Sequence, residues 1–462
     1  MKETLHLYFT SDLHSHFENW PKIMHDIKER TYKHQFDQEF YMLFDNGDHL
    51  DRSHPITEAS LGSDNVTLLN EAKFNVATLG NNEGITLPSD KLYHLYDEAQ
   101  FDVVCANVEP KYEANPKWLK PYKIYETPSG IKIGVLGLTA PFQAFYEKLG
   151  WQTHDPFDML KEYYNEIRKQ TDVFVLLSHL GINSDESIAE QFDIDVIMGG
   201  HTHHLLRQGQ HHFGTLITAV GKHGYYYGAI SLTFDHQAQK VINSDGHAVK
   251  IENEADDQAS LHLLQELNDS AKSKLNREIA NLSRPYPINW LQETPLMKAF
   301  VNTLRKWTKS DCAMLNSGVL LNGFEKGTVT RGDVHQSCPH PMNPCTMVLT
   351  GRELIETVRM FEQDRFIEFE LKGLGFRGKQ IGKMVYSNIE LDYHHDTNYV
   401  ETVYVNGEKV DPHETFTVAT ADTFSFPWLV PPISSVKDKH YFLPEFFTRY
   451  FRRVPIYLKL EV

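Results

Sequence analysis

Residues 194–203 read IDVIMGGHTH, a short apolar run that ends in two glycines and two histidines. Similar runs precede it: LHLYFT (5–10), FYMLFD (40–45), FDVVCANV (101–108), IKIGVLGL (131–138) and DVFVLLS (172–178). Helical patterns lie between them, at residues 20–32, 89–99 and 156–171. Apolar strands alternating with helices predict an α/β fold whose sheet is covered on both faces. Polar residues follow the strands, where ligand sites usually form in such sheets.

The pattern changes in the second half of the chain, and 462 residues are too many for one hydrophobic core. Residues 228–251 are β-rich, the acidic segment ENEADDQ follows, and residues 259–282 read as one long helix. The predicted domains are therefore 1–254, a linker helix at 255–284, and an α+β domain at 285–462.

Composition limits the partners of the chain. The formal net charge is -17, and hydrophobic residues make up 41% of an ordinary globular composition. Such a chain repels a nucleic-acid backbone, although bound metal ions could reverse the field for a small anion. No apolar run approaches the ~18–20 residues of a membrane span, and no leader precedes the first motif. We expect a cytoplasmic monomer that binds neither nucleic acid nor membranes.

The four cysteines are too few for a disulfide framework. Cys338 and Cys345 enclose His340, which allows a metal clip, but the segment offers no fourth ligand. Reduced, packed thiols are the favoured interpretation.

Five short motifs at predicted strand ends carry candidate metal ligands: Asp12-Leu-His14, Gly47-Asp48, Gly80-Asn81-Asn82-Glu83, Ser178-His179 and Gly199-Gly200-His201-Thr-His203. Each motif alone is weak, because a histidine at a strand end is usually solvated and Gly-Asp is a common turn. Together their oxygen and imidazole donors suit divalent ions such as Mn, Fe or Zn. Two ions ~3.5–4 Å apart can clamp the attacking and leaving oxygens of a displacement at phosphorus.

The order of these motifs resembles the calcineurin-like metallophosphoesterase superfamily over about 250 residues. The second domain resembles the 5′-nucleotidase C-terminal domain in LNSGVL (315–320), VTRGDV (329–334), the PxN at 341–343 and the late strand before residue 424. The resemblance implies an N-terminal αββα metallophosphoesterase sandwich and a smaller α+β 5′-nucleotidase-like domain.

The resemblance also implies a ligand set. One ion would be held by Asp12, His14, Asp48 and His203, and the other by Asp48, Asn81, His179 and His201, with Asp48 as the bridge. A metal-bound hydroxide would attack phosphorus. Manganese is the expected metal, with Zn, Fe, Co and Mg as alternatives.

Two positions depart from the family in the first domain. The family's catalytic His and the Asp that orients it correspond to Asn82 and Ile85. Asn82 can donate only a neutral hydrogen bond, which is weaker than a charge-assisted one. His223 is a second candidate for the catalytic role, and its alternative is a solvated turn residue.

The second domain departs as well. Leu320 takes the place of a phosphate-binding Arg, and Arg377 or Arg331 could substitute unless they are surface residues. The expected substrate contacts are Asn316, Gly318, Asn343, Arg377, Phe424 and Phe426. The phenylalanines would stack on a base or else belong to the core, and the opposite ring of the family's clamp is replaced near Pro341 and Met342.

These features predict a phosphohydrolase that releases phosphate from nucleotides. A UDP-sugar diphosphatase or cyclic-nucleotide phosphodiesterase on the same scaffold remains an alternative. A nucleotide sensor without catalysis is a third hypothesis, and the retained ligands argue against it.

Overall fold

The computed structural model describes residues 1–252, 254–397, 399–426, 428–434, 436–443 and 445–460. Asn253, within the predicted acidic segment, lies outside them. The chain folds into two compact units, Met1–Ala271 and Lys272–Val462. No helix within the described ranges combines the length and the apolar composition that a membrane crossing needs.

Two sheets form the centre of the first unit. The first sheet has, in spatial order, the strands Lys240–Lys250, Tyr226–Asp235, Lys2–Thr10, Phe40–Asp45, Val76–Ala77, Asp102–Val104 and Leu119–Lys120. The second sheet has the strands Gln210–His212, Thr215–Ala219, Val196–Gly199, Val173–His179, Lys132–Thr139 and Tyr122–Glu126. A separate pair joins Val108–Pro110 to Trp151–Thr153.

Eight helices within the described residues accompany these sheets, and two of them, Pro156–Gln170 and Ile182–Gln191, pack on the second sheet. The eight are Trp20–Asp37, Pro55–Ser60, Ser63–Glu71, Asn81–Thr86, Ser89–Tyr93, Gln143–Lys148, Pro156–Gln170 and Ile182–Gln191. Side chains alternate between two cores along one strand: Val175 and Leu177 join the core between the sheets, whereas Leu176 packs in a core with Leu160 and Ile167. Strands buried on both faces produce the continuous apolar runs seen in the sequence. The predicted αββα sandwich is confirmed.

The second unit is the predicted α+β domain. Its largest sheet has the strands Met384–Ser387, Cys312–Asn316, Thr415–Ala421, Pro344–Thr350 and Lys439–Tyr441. Smaller sheets comprise Ile389–Tyr393, Val400–Val405 and Glu408–Lys409, and Glu278–Leu282 with Gly327–Thr330. Its helices are Pro295–Thr308, Arg331–Ser337, Gly351–Phe361, Asp364–Ile367, Pro431–Ser434, Phe447–Phe451 and Val454–Leu460.

The predicted linker helix is shorter than its sequence pattern indicates. The helix Gln258–Leu275 is followed by the strand Glu278–Leu282, so residues 259–282 do not form one helix. Ala280 and Leu282 are buried while Asn281 between them is exposed, which is the period-two pattern of a strand with one covered face. This strand pairs with Gly327–Thr330, a partner that the local sequence does not reveal.

The cysteines are reduced and packed, as predicted. All four are free and buried. Both ring nitrogens of His340 are engaged, because Nδ1 accepts the Arg377 N–H at 2.9 Å and Nε2 lies 2.8 Å from the Val319 carbonyl. His340 therefore has no nitrogen left for a metal clip with Cys338 and Cys345.

Candidate metal centre and substrate contacts

The predicted metal ligands lie at the carboxyl ends of strands from both sheets of the first unit. The loops that carry them follow the strands Lys2–Thr10, Phe40–Asp45, Val76–Ala77, Val173–His179 and Val196–Gly199. Neighbouring strands among these are parallel within each sheet. Parallel strands end at a common edge, so their loops meet there.

Left-handed backbone conformations turn these loops. The φ angles are 53° at Asp12, 50° at His14, 51° at Asp48, 68° at His201 and 57° at His203. Such conformations cost about 1–3 kcal/mol each when the residue is not glycine, and they cluster at functional sites. Hydrogen bonds between the loops hold the geometry, as where the His14 N–H donates to the Asp48 carbonyl at 2.9 Å.

The first group of ligands comprises Asp12, His14 and His203. His203 Nε2 lies 3.4 Å from Asp12 Oδ1 and 3.1 Å from His14 Nε2. His14 Nε2 is also 3.7 Å from Asp48 Oδ2. The structure thus brings together the four residues assigned to the first ion.

The second group surrounds Asp48. His179 Nε2 lies 3.4 Å from Asp48 Oδ2 and 3.9 Å from Asp12 Oδ1. His201 Nδ1 is 2.7 Å from Asn81 Oδ1, and the backbone N–H of His201 donates to Asp12 Oδ1 at 3.1 Å. Asp12 and Asp48 are therefore common neighbours of both predicted ligand sets.

The charges of this cluster fit divalent cations. His179 Nδ1 donates to the Asn46 carbonyl at 2.8 Å, and Nε2 is buried among carboxylates with no hydrogen-bond partner. Burial lowers the pKa of His179, but the carboxylates of Asp48 and Asp12 outweigh it and raise the pKa to about 10. The pocket thus favours positive charge. A carbonyl that fixes the other ring nitrogen is the usual support of a metal-binding histidine.

Glu83 ties the loops together, a role that the sequence analysis missed. Its carboxylate accepts the N–H groups of Asp48 at 2.9 Å, Gly80 at 2.8 Å and Leu50 at 3.1 Å. The fit is close, because a Cβ on Gly80 would lie 2.1 Å from Asp48 Oδ1. Burial, followed by the charge of Asp48, raises the pKa of Glu83 to about 7. The fourth position of the Gly-Asn-Asn-Glu motif was the available signal.

Comparison with known proteins identifies the family and the fold. Residues 5–205 match the calcineurin-like phosphoesterase family, and residues 276–427 match the 5′-nucleotidase C-terminal domain. The chain is 41% identical over 452 residues to the metallophosphoesterase YunD of Bacillus subtilis strain 168, covering 96% of this chain and 98% of that one. The chain belongs to the calcineurin-like phosphoesterase family. It is a metal-dependent phosphoester hydrolase that carries both 5′-nucleotidase-type domains.

Other relatives agree with this assignment. The phosphoesterase is 25% identical over 342 residues to a 5′-nucleotidase of Vibrio parahaemolyticus, covering 61% of this chain and 60% of that one. Its fold matches a 5′-nucleotidase precursor from Thermus thermophilus with a TM-score of 0.63, at 19% identity and over 99% and 97% of the two chains. The family resemblance is therefore confirmed.

Asn82 of this phosphoesterase contacts a predicted ligand. Its Nδ2 donates to the Leu50 carbonyl at 3.1 Å and lies 2.9 Å from His14 Nδ1. The Leu50 carbonyl can only accept a hydrogen bond, so it holds Nδ2 on the side of the amide that faces His14 Nδ1. The side chain is buried, and in this geometry it positions His14.

His223 also lies beside the ligands. Its ring stacks on His16 with centroids 3.7 Å apart and meets His14 edge-on at 5.9 Å. Its backbone N–H donates to the Asp12 carbonyl at 2.9 Å. Burial, followed by the neighbouring His16 and His14, lowers the pKa of His223 to about 3, so the ring is neutral near pH 7. A catalytic role for His223 would thus rest on a neutral imidazole.

Polar residues also meet at strand ends in the second unit. Asn316 ends the strand Cys312–Asn316, and Asp422 follows the parallel strand Thr415–Ala421. Asn343 Nδ2 donates to Asp422 Oδ2 at 2.8 Å. The Oδ1 atoms of Asn316, Asn343 and Asp422 are buried without hydrogen-bond partners. The sequence analysis did not select Asp422, although its Ala-Asp dipeptide ends a predicted strand.

Phe424 and Phe426 differ in exposure. Phe424 is 1% exposed and packs on Phe361 and Phe366 with centroids 5.4 Å and 6.3 Å away. It is a core residue in this structure, whereas Phe426 is partly exposed. Gly318 has a packing role, because a Cβ there would lie 2.0 Å from the Gln380 carbonyl oxygen.

The phosphate-binding positions remain predictions. Leu320 is 1% exposed and belongs to the hydrophobic core. The Arg377 guanidinium donates to the Phe376 carbonyl at 3.2 Å, and Arg331 begins a short helix with its side chain partly exposed.

Proposed function

We propose that this phosphoesterase holds two divalent ions at Asp12 and Asp48 and releases phosphate from nucleotides. The observation that carries the proposal is the convergence of two buried carboxylates on His179, whose Nε2 has no hydrogen-bond partner. Two buried carboxylates so close together need compensating charge. Imidazole, amide and carboxylate ligands suit manganese and related ions, and manganese is the proposed metal.

The residues divide the work between ion binding and orientation. Bound divalent ions supply Lewis-acid polarisation of the phosphoryl oxygens and ionise water near neutral pH. Asp48 Oδ2 faces His14 Nε2 at 3.7 Å and His179 Nε2 at 3.4 Å, which suits a bridging carboxylate. Asn46 orients His179 through its carbonyl, and Glu83 fixes the Asp48 loop.

The nucleoside part is assigned to the second unit. The buried oxygens of Asn316, Asn343 and Asp422 can accept hydrogen bonds from the hydroxyl and amino groups of a nucleoside. Phe426, the partly exposed ring, is the proposed base contact. A site built from polar groups of this kind discriminates strongly against substrates that lack the matching donors.

A nucleotide-sugar diphosphate is the second candidate substrate. Leu320 lies in the core, so this position offers no cation to a terminal phosphate. A terminal phosphomonoester carries nearly two negative charges, whereas each phosphate group of an internal diphosphate carries one. The internal diphosphate therefore needs less positive charge from the protein at each phosphate group.

A phosphate-release screen tests the proposal. Nucleoside monophosphates, UDP-sugars, cyclic nucleotides and an aryl phosphate are compared with Mn²⁺ added, with a coupled phosphatase for the diphosphates and the cyclic nucleotides. We expect turnover of nucleoside monophosphates in wild type and none in Asp48→Asn. Asp422→Asn should raise KM for nucleoside monophosphates and leave aryl phosphate turnover unchanged. Hydrolysis of the aryl phosphate without any nucleotide would show that the substrate assignment is wrong.

A further inference from the structure

A second group of metal-type ligands lies far from the centre described above. His6 is on the strand Lys2–Thr10, His34 is in the last turn of the helix Trp20–Asp37, and Glu39 is in the loop after it. Asp12 and Asp48 follow the carboxyl ends of their strands, whereas His6 lies in the middle of its strand and Glu39 immediately precedes the strand Phe40–Asp45. Thr10 is four positions after His6, which corresponds to roughly 13 Å along the strand.

The three side chains converge on one point. Glu39 Oε2 lies 2.8 Å from His34 Nδ1 and 3.4 Å from His6 Nε2. The two imidazole rings are stacked, with centroids 3.9 Å apart and planes 19° from parallel. Ligand atoms on one tetrahedral zinc ion lie roughly 3.3 Å apart, given bond lengths near 2.1 Å. The two carboxylate–nitrogen separations are therefore close to those around one ion, but imidazole lone pairs lie in the ring planes, so one ring must turn out of the stack to bind.

His6 provides an independent indication of a ligand. Its Nε2 is buried and has no hydrogen-bond partner. A buried polar atom without a partner costs free energy, and this one faces a carboxylate that is 41% exposed. Burial, followed by the neighbouring His34, lowers the pKa of His6, which favours a neutral imidazole with a lone pair.

Outer contacts orient His34 for binding. His34 Nε2 lies 2.7 Å from the Tyr8 hydroxyl. When His34 Nε2–H donates to Tyr8, Nδ1 is free for an ion. The exposed side of Glu39 leaves room for water as a fourth ligand.

We propose that His6, His34 and Glu39 bind one zinc-type ion, separate from the dinuclear centre. Two imidazoles and a carboxylate favour Zn²⁺ or Co²⁺ over Mg²⁺ or Ca²⁺. The ion would join the first strand, the first helix and the loop that follows this helix, so its role is structural. The alternative is a metal-free relay in which Tyr8 donates to His34 and His34 donates to Glu39, but that relay leaves His6 Nε2 unpaired.

Zinc stoichiometry tests this site on the full chain. Protein stripped with chelator is dialysed against Zn²⁺, and bound ions are counted by mass spectrometry. We expect Glu39→Gln and His6→Phe each to bind one ion fewer per chain than wild type, with aryl phosphate turnover unchanged. His6→Phe keeps an aromatic ring against His34. Glu29→Gln is the matched control, because Glu29 pairs with His25 at 3.6 Å on an exposed part of the same helix.

Thermal unfolding gives a second measurement. In the Asp48→Asn background, Zn²⁺ should raise the Tm by about 5 °C, and the rise should disappear when Glu39→Gln is added. Equal zinc counts in Glu39→Gln, His6→Phe and Glu29→Gln would overturn the proposal. Loss of ions in Asp48→Asn but not in Glu39→Gln would overturn it while leaving the dinuclear centre in place. The reverse result would support this site and contradict the dinuclear centre.

Discussion

The two polar strand-end groups of this protein differ in how their atoms are satisfied. In the first unit, Asp12 and Asp48 are surrounded by imidazoles within 4 Å. In the second unit, Asn316, Asn343 and Asp422 each keep a buried oxygen without a partner. The first group is arranged around cations, and the second presents acceptors to a donor from outside the chain.

We interpret this difference as a division between phosphoryl transfer in the first unit and substrate recognition in the second. The residues predicted as ligands lie together in the first unit, and we propose that they hold both of the ions that phosphoryl transfer needs. The second unit has Leu320 in place of an arginine and Phe424 inside the core. Substrate recognition can change through such substitutions without disturbing the ligands. We therefore expect changes in the first unit to affect turnover and changes in the second unit to affect substrate choice.

Asp48→Asn should have the largest effect. An amide cannot compensate two cations, so turnover on every substrate should fall by more than about 10³-fold, with loss of bound metal. Phosphate release and metal analysis measure this. Asp245→Asn, on an exposed strand position, is the control. Retention of two ions and of activity would remove the basis for the bridging role.

Glu83→Gln should reduce turnover by about 10–100-fold. Glutamine replaces one carboxylate oxygen, which accepts hydrogen bonds, with an NH₂ group, which donates them. That group would face a backbone N–H of Asp48, Gly80 or Leu50, which also donates. Metal affinity should weaken while KM for the aryl phosphate changes little. Metal titrations monitored by activity measure the shift, and an unchanged titration would contradict the orienting role.

Asp422 should make stability depend on pH. Burial raises its pKa to about 6, whereas the unfolded chain titrates near 4. The contribution of the Asp422 carboxyl to the free energy of unfolding is fully present below the pKa of the unfolded chain. It falls by up to about 3 kcal/mol as pH rises through about 6. Urea unfolding at pH 4.5 and 7 compares wild type with Asp422→Asn, in which this slope should be smaller. Equal slopes in both proteins would contradict the buried, protonated carboxyl.

Asp422→Asn should also change the KM for a nucleotide without changing the KM for a small aryl phosphate. Asp422→Asn should raise KM for a nucleotide by about tenfold, because one hydrogen bond to the substrate is weakened. KM for a small aryl phosphate should stay the same. Steady-state kinetics on both substrates decide the matter, with exposed Glu390→Gln as the control. A parallel loss on both substrates would place Asp422 outside substrate recognition.

Asn82→Ala should have the smallest effect, about fivefold in turnover. Its amide supplies neutral hydrogen bonds near His14 and Leu50, each worth about 1 kcal/mol. Activity as low as that of Asp48→Asn would show that Asn82 has a larger role than positioning His14.

Much of the fold and the metal centre could be predicted from the sequence. Glycines and polar residues at the ends of apolar runs, as in Gly199 to His203, are local signals that parallel strands bring together. The site residues themselves await the experiments above.

Features that depend on distant partners could not be predicted. The strand Glu278–Leu282 needs Gly327–Thr330, and its apolar residues continue the pattern of the preceding helix. The sequence does not distinguish a phenylalanine that packs in the core, as Phe424 does on Phe361, from one that stacks on a nucleotide base. His6 and His34 are far apart in sequence, and only the fold stacks them.

The pairing of the first strand affects the order of events during synthesis. Lys2–Thr10 lies between Phe40–Asp45 and Tyr226–Asp235, so one of its neighbours is translated more than two hundred residues later. At ~5–20 residues per second, roughly 10–45 s separate them on the ribosome. During that interval one edge of the strand is unpaired, and Asp12 is present without His203, its predicted co-ligand. Metal loading must follow translation of both, and chains arrested at residue 190 should be captured by chaperones more readily than chains arrested at residue 300.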